Sequence, residues 1–173
     1  MTRLEKVAHI ALIAVCCLAI FVLVSQRTNW FRPKPPPPLR AGDRLDLPGE
    51  RWGSTPMTLV LAISSQCRFC EESLPLYRKL CGLRGSPPGV AYRVIAVSEE
   101  PRESLAGYLH RNGVDVDAVF SVPLARLGIR GTPTVVVADS SGVARSVLIG
   151  KLGEGREGSL MKAVNAYCTG CSH

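Results

Sequence analysis

Three observations predict an α/β fold with a mixed central sheet. Apolar runs of strand length alternate with helical patterns over residues 58–122, and two further apolar runs over 134–149 are joined by a short turn. Two cysteines spaced C-x-x-C, Cys67 and Cys70, stand where the first run gives way to a helical pattern. Pro133 stands immediately before a later apolar run. This order of elements is typical of one domain in which helices cover a sheet.

The N-terminal segment predicts a membrane anchor. Residues 7–24 are apolar except for His9, and as a helix they would span about 27 Å, close to the thickness of a bilayer core. A cleavable signal peptide is the alternative, because Arg3 and Lys6 precede the apolar run. We prefer the anchor, since the run is long for a signal peptide and residues 23–25 make a poor cleavage site.

A proline-rich linker follows the predicted anchor. Residues 33–38 contain five prolines and one lysine, a composition that favours extended polyproline and a semi-rigid spacer. We therefore assign residues 1–25 to a membrane anchor, 26–40 to a linker and 41–173 to a globular domain.

Most of the net charge of +7 lies near the N-terminus, where residues 1–40 hold six Lys and Arg and one acidic residue. The nearly neutral remainder gives no basis for nucleic-acid binding, and the cations beside the anchor are expected to meet lipid headgroups. By the positive-inside rule these cations favour a cytoplasmic domain, but a short tail before a single apolar run is the usual signal-anchor layout. We expect an extracytoplasmic domain.

Within the domain, periodicity and turn residues predict each element in order. Leu45 and Leu47 alternate with polar residues and predict a short hairpin or edge strand within 41–56. The continuous apolar run 58–63 predicts a buried central strand. Helical patterns cover 67–83, 102–111, 124–128 and 157–167, and further strand patterns cover 91–97, 116–122, 134–138 and 143–149.

The position of Cys67 and Cys70 predicts redox chemistry. Cys67 would lie at a helix N-terminus, where unpaired backbone N–H groups and the helix dipole favour a thiolate. We therefore expect Cys67 to be the nucleophile. Cys70 lies about one helical turn further on, close enough to form a disulfide with Cys67 and release a bound partner thiol. We therefore expect Cys70 to be the resolving cysteine.

With Pro75 in the following helix and Gly131-Thr132-Pro133-Thr134 before the penultimate strand, this pair resembles the membrane-anchored, TlpA-like thiol-disulfide oxidoreductases of bacteria. The resemblance covers roughly residues 41–167. It implies a thioredoxin-like three-layer domain and a periplasmic location. It also implies a cis Pro133 facing the cysteines, with Thr132 pairing with the substrate backbone. Arg68 and Phe69 complete the expected substrate-binding residues.

Three departures from the thioredoxin pattern concern the cysteine environment. Gln66 stands where thioredoxins have tryptophan, Leu61 stands where they bury a proton-transferring aspartate, and Ser73 stands where some TlpA-like reductases have a glutamate. Glu71 or Glu72 is an alternative proton acceptor, although both are also simply favourable first-turn acids. The redox direction therefore stays open, with a reductant favoured over an oxidant.

Three cysteines remain in the soluble part: Cys81, Cys168 and Cys171. In a thioredoxin-like fold, Cys81 and Cys168 would lie at helix ends remote from the active site, so a structural disulfide from Cys81 to Cys168 or Cys171 is our hypothesis. Cys168 and Cys171 could instead form a second redox pair. A Cys₃His zinc site completed by His173 is weakly supported, and we predict no metal.

The sequence thus predicts a membrane-tethered, extracytoplasmic thiol-disulfide oxidoreductase that acts on cysteine-containing proteins through Cys67 and Cys70. Electrons would come from a membrane or extracytoplasmic dithiol partner, because no flavin or nicotinamide fingerprint is present and we predict no organic cofactor. One alternative is a peroxiredoxin-like peroxidase, although the upstream proline and threonine of that family are missing. Another is a Cu(I)-binding assembly module, although no histidine lies near the pair in sequence.

Overall fold

The computed structural model of the chain describes residues 3–27, 36–84 and 91–169. The chain forms two units, Met1–Pro35 and Pro36–His173. In the first, helix α1 (Arg3–Arg27) covers the predicted membrane segment, and its large apolar side chains are exposed. Within the described residues, we find no helix with the length and hydropathy that crossing a membrane requires. The membrane span therefore stays a prediction.

In the described part of the second unit, five strands form one mixed sheet in the order β3-β2-β1-β4-β5. The first three strands are parallel, and β4 and β5 are antiparallel to their neighbours. Because β1 lies at the centre, its side chains are buried on both faces, which explains its continuous apolar sequence. The strands are β1 (Met57–Ala62), β2 (Tyr92–Ser98), β3 (Ala118–Ser121), β4 (Thr134–Asp139) and β5 (Ala144–Ile149).

The α-helices of this unit cover one face of the sheet. Their apolar residues share a core with Leu59 and Leu61 of β1. The opposite face, which includes Val60, is covered by an N-terminal segment through Leu45 and Leu47 and by a 3₁₀ helix. The helical elements are α2 (Arg68–Glu71), α3 (Leu74–Gly82), α4 (Arg102–Arg111), the 3₁₀ helix (Leu124–Leu127) and α5 (Glu154–Thr169).

Two predicted elements differ from the structure. The helix expected over 67–83 is divided into α2 and α3. Pro75 lies in the first turn of α3, where its missing N–H is tolerated, while continuation of α2 through it would set the proline ring against the Glu71 carbonyl. The hairpin or edge strand expected within 41–56 is reduced to a single antiparallel bridge between Arg44 and Val143. Leu45 and Leu47 are nevertheless buried, which explains why they alternate with polar residues in the sequence.

The end of the predicted linker, from Pro36 onward, belongs to the second unit and packs within it. The Leu39 N–H donates to the Gly128 carbonyl at 2.9 Å, and Arg130 donates to the Pro36 carbonyl at 3.3 Å. Gly128 has a positive φ of 70°, and a Cβ there would lie 2.8 Å from the Leu39 nitrogen. Glycine is therefore required at this crossing. Linker residues 28–35 lie outside the described residues.

Candidate active site

Cys67 is the N-cap residue of α2, in the turn that follows β1. Its carbonyl accepts hydrogen bonds from the N–H groups of Cys70 and Glu71, at 2.9 and 3.1 Å, which fix the first helical turn. Cys67 is half-buried, whereas Cys70 is 0% exposed. Both thiols are free. The pair therefore has one accessible sulfur and one that is shielded from solvent.

The loop before β4 brings the second motif against the first. The Thr132–Pro133 peptide bond is cis, and the Cys67 thiol donates a hydrogen bond of 3.4 Å to the Thr132 carbonyl oxygen. The Pro133 carbonyl accepts a hydrogen bond of 2.7 Å from the Gly150 N–H at the end of β5. The structure thus places both residues of the predicted docking loop beside the cysteine pair.

The two thiols have opposite pKa shifts. Burial acts to raise the pKa of Cys67, but hydrogen bonds from the Thr132 hydroxyl, the Cys70 thiol and the N–H groups of Cys70 and Phe69 outweigh it, so the pKa falls below its usual value. Burial raises the pKa of Cys70 to about 12, and the neighbouring Cys67 adds to the increase. Cys67 therefore ionises more readily than Cys70, which remains a thiol at neutral pH.

The two acids considered as proton acceptors have different surroundings. Glu71 is exposed. Glu72 forms ion pairs with Arg68 at 3.0 Å and Lys151 at 2.8 Å, which lower the pKa of its carboxyl group. Ser73 is buried and donates to the Phe69 carbonyl at 2.7 Å. The Arg68 side chain is 86% exposed and paired with Glu72, so solvent screens its effect on Cys67.

Sequence reasoning missed Glu100, a carboxylate that binds the turn before Cys67. Its two oxygens accept hydrogen bonds from the Ser65 N–H at 2.7 Å and the Ser65 hydroxyl at 2.6 Å. A signal was present: Glu100 follows β2, Ser65 follows β1, and these strands were predicted to lie in one sheet. Since β1 and β2 are parallel, the residues after them meet at one sheet edge.

Two exposed apolar side chains belong to the segments that form the site. Among the described residues of the second unit, Phe69 and Ile149 are the large apolar side chains that stand out, 56% and 60% exposed. Phe69 lies between the two cysteines. Ile149 pairs with Thr134 across the sheet and immediately precedes Gly150, which is bonded to Pro133. One exposed apolar side chain thus belongs to the cysteine motif, and the other to the strand end bonded to the Thr132–Pro133 loop.

The remaining predicted cysteines stay apart from this site. Cys81 is a buried free thiol in α3, and burial raises its pKa to about 11. Cys168 lies in α5, but its side chain is not described, and Cys171 and His173 lie outside the described residues. The disulfide of Cys81, the second redox pair and the zinc site are therefore untested. Among the described residues, no group of three or more His, Cys, Asp and Glu side chains could hold a metal ion.

Neither protein-family models nor curated proteins match this sequence. Solved structures do match. A Chlorobium tepidum protein assigned as the thiol:disulfide interchange protein DsbE is 20% identical with a TM-score of 0.57, over 75% of this chain and 99% of that one. A thiol-disulfide isomerase from Corynebacterium glutamicum is 18% identical with a TM-score of 0.52, over 76% and 96%.

The thioredoxin domain of a Bacteroides vulgatus thiol-disulfide oxidoreductase is 17% identical with a TM-score of 0.54, over 73% of this chain and 99% of that one. At these identities the similarity concerns the fold. The mixed sheet with β1 at its centre, and the cysteine pair that follows β1 beside a cis proline, agree with it. The chain therefore has the thioredoxin-like α/β fold of these thiol-disulfide oxidoreductases.

Proposed function

We propose that this protein is a membrane-tethered, extracytoplasmic thiol-disulfide oxidoreductase that exchanges disulfides with protein cysteines. The observation that carries the proposal is the asymmetry of the pair. Cys67 is accessible and has a lowered pKa, while Cys70 is buried with a pKa of about 12. A two-step exchange requires one thiolate that attacks the substrate and a second thiol that reacts only after the mixed disulfide has formed.

In the proposed reaction, the Cys67 thiolate attacks a substrate disulfide and forms a mixed disulfide, and one substrate sulfur leaves as a thiolate that takes up a proton. Cys70 then loses its proton and attacks Cys67. The Cys67–Cys70 disulfide forms and the second substrate thiol is released. The protein loses two electrons and the substrate gains them, so a dithiol partner must reduce the pair again.

A protein substrate is supported by the surface around Cys67. Phe69 and Ile149 offer apolar contacts on the two elements that flank the sulfur, and the Thr132–Pro133 loop lies beside it. An extended polypeptide that carries a cysteine fits such a surface, since its backbone can pair with the loop while a neighbouring apolar side chain contacts Phe69.

Tethering and location are supported by the sequence. Residues 7–24 are apolar apart from His9, and a proline-rich segment follows them. An oxidising compartment also suits a domain with further cysteines at 168 and 171. Fractionation of cells, followed by protease treatment of intact spheroplasts, tests both points. Recovery of the whole chain in the soluble fraction, or protection of the domain from protease, would contradict them.

The experiment that tests the activity is trapping with Cys70→Ser. This variant retains Cys67 but cannot resolve a mixed disulfide, so substrates should accumulate as complexes that a reductant releases. The matched control is Cys67→Ser, which leaves the buried Cys70 alone and should capture nothing. If neither oxidising nor reducing growth conditions yield a Cys67-linked protein, the proposed function is wrong.

The direction of exchange is tested by equilibration with glutathione. A midpoint potential below about −220 mV is expected of a reductant and one near −120 mV of an oxidant. We propose the reductant, and a measured value near the second potential would reverse this part of the proposal.

A further inference from the structure

Glu100 joins the end of β2 to the turn that precedes the cysteine pair. Its carboxylate accepts two short hydrogen bonds from Ser65, at 2.7 and 2.6 Å, and its own N–H donates to the Ser98 hydroxyl at 3.2 Å. Burial acts to raise the pKa of Glu100, but hydrogen bonds from Ser65 and Ser64 outweigh it and lower the pKa. Glu100 is therefore a charged acceptor at neutral pH, and such hydrogen bonds are among the stronger ones in proteins.

The turn that Glu100 holds lies beside the cysteine pair. Burial raises the pKa of Cys70, and the Ser64 backbone N–H partly offsets this effect. The Ser64 carbonyl accepts from the Cys67 N–H at 3.2 Å, and the Ser64 hydroxyl accepts from the Gln66 N–H at 3.3 Å. A carboxylate that follows β2 thus holds Ser65, the residue next to the Ser64 N–H.

Glu100 also lies in the electrostatic surroundings of both cysteines. Burial raises the pKa of Tyr108, and the negative charges of Glu71, Cys70, Cys67 and Glu100 raise it further. These groups therefore share a neighbour, the Tyr108 hydroxyl, which is buried and makes no hydrogen bond within the described part of the chain.

We propose that Glu100 is a positioning residue for the resolving step, holding Ser64 and Ser65 so that the Ser64 N–H stabilises the Cys70 thiolate as it attacks the mixed disulfide. This inference rests on the proposed function. In the step, Cys70 gives up a proton, the Cys67–Cys70 bond forms, and the bond from Cys67 to the substrate sulfur breaks. The departing substrate thiolate takes up a proton, so the step is balanced.

The structure predicts that Glu100 affects this step selectively. The donors that stabilise the Cys67 thiolate are the Thr132 hydroxyl, the Cys70 thiol and two N–H groups within α2. None of them belongs to the turn that Glu100 holds. Loosening the turn should therefore slow the attack by Cys70 and leave the attack by Cys67 nearly unchanged.

The test follows both steps in the full chain, purified in detergent and reduced. It is mixed with the aromatic disulfide dithiobis(nitrobenzoic acid), quenched in acid at successive times, and alkylated. Mass spectrometry of the Cys67 and Cys70 peptides then counts free thiol, mixed disulfide and internal disulfide. Reading these peptides separates the pair from the other five cysteines.

Glu100→Ala should slow conversion of the mixed disulfide into the internal disulfide about tenfold, the effect of losing about one charge-assisted hydrogen bond, while mixed-disulfide formation changes less than about twofold. Glu100→Gln retains one carbonyl acceptor and should fall between wild type and Glu100→Ala. Glu103→Ala removes an exposed acid from the first turn of α4 and should leave both rates unchanged.

Equal slowing of both steps, or an unchanged resolving step in both Glu100 variants, would overturn the proposal. If Glu100→Ala fails to fold, Glu100→Gln and Ser65→Ala provide the same comparison, since Ser65→Ala removes the 2.6 Å bond alone. A wild-type chain that forms no mixed disulfide at Cys67 would instead refute the proposed function, so the two failures are distinguishable.

Discussion

The Cys67 thiol and the Thr132 carbonyl oxygen lie 3.4 Å apart, although 65 residues separate them in the sequence. Through this contact the two motifs form one site. The same threonine also contributes its hydroxyl, which hydrogen-bonds the Cys67 sulfur and favours the thiolate. The environment of the Cys67 sulfur is therefore partly built by the loop that is proposed to bind the substrate.

Thr132→Val should raise the pKa of Cys67, because it removes the hydroxyl donor and keeps the side-chain shape. Alkylation of Cys67 by iodoacetamide near neutral pH should slow severalfold, and its pH midpoint should move upward. The control is Thr55→Val, whose hydroxyl bonds the Met57 carbonyl away from the site. Identical midpoints in the wild type and Thr132→Val would contradict the assigned role.

Asp139→Asn should destabilise the turn between β4 and β5 by about 1–3 kcal/mol at neutral pH. Burial acts to raise the pKa of Asp139, but hydrogen bonds from Ser141, Val143 and Arg145 outweigh it and lower the pKa to about 2. Because the folded pKa is depressed, this stability is present above the ordinary value of 3.8 and is lost as the pH falls through about 2. The free energy of unfolding, measured with denaturant, should fall more steeply over that pH interval for the wild type than for the variant. Parallel pH profiles of the two proteins would refute this.

Gly142→Ala should cost about 1–3 kcal/mol of unfolding free energy. Gly142 has a φ of +77°, and a Cβ there would lie 2.8 Å from the Trp52 indole. The control is Gly82→Ala in the last turn of α3, where a Cβ would have nothing within 4 Å. That variant should gain up to about 1 kcal/mol from helix propensity. Thermal unfolding measures both, and equal effects would contradict the steric explanation.

Arg93→Met should destabilise the protein by about 3 kcal/mol, and more than Glu50→Gln does. Arg93 is ion-paired with the Glu50 side chain, which is 1% exposed. The Glu50 Oε2 atom is buried without a hydrogen-bond partner in the described part of the chain. Removing the arginine leaves a buried, unpaired carboxylate, whereas glutamine removes the charge itself. Denaturant titration of both variants and the double variant measures the loss of unfolding free energy in each. A smaller loss in Arg93→Met than in Glu50→Gln would disprove the prediction.

Most of the sheet could be predicted from sequence because its signals are local. The buried run of β1 and the turn residues around α4 give bounds that agree with the structure within about two residues. The sequence does not predict the division into α2 and α3, because the apolar spacing continues through Pro75 and places that proline inside one helix. Backbone hydrogen bonding overrode side-chain periodicity there.

The candidate site was predictable only where a motif marks it. Spacing and position beside a strand make three residues recognisable in the sequence: Cys67, Cys70 and Pro133. Glu100 does not, because it acts on Ser65 from 35 residues away and resembles any acid that precedes a helix. Such a contact depends on strand register, which a single sequence specifies weakly.

The crossing of Leu39 over Gly128 bears on how this sequence can diverge. The contacts there join backbone atoms, and a Cβ at Gly128 would come within 2.9 Å of the Pro37 carbonyl oxygen. Linker side chains that make no contact with the domain can therefore change over generations without losing the attachment. The evolutionary constraint falls on Gly128 and on the apolar Leu39 side chain, which packs on the core, and we expect homologues to retain both.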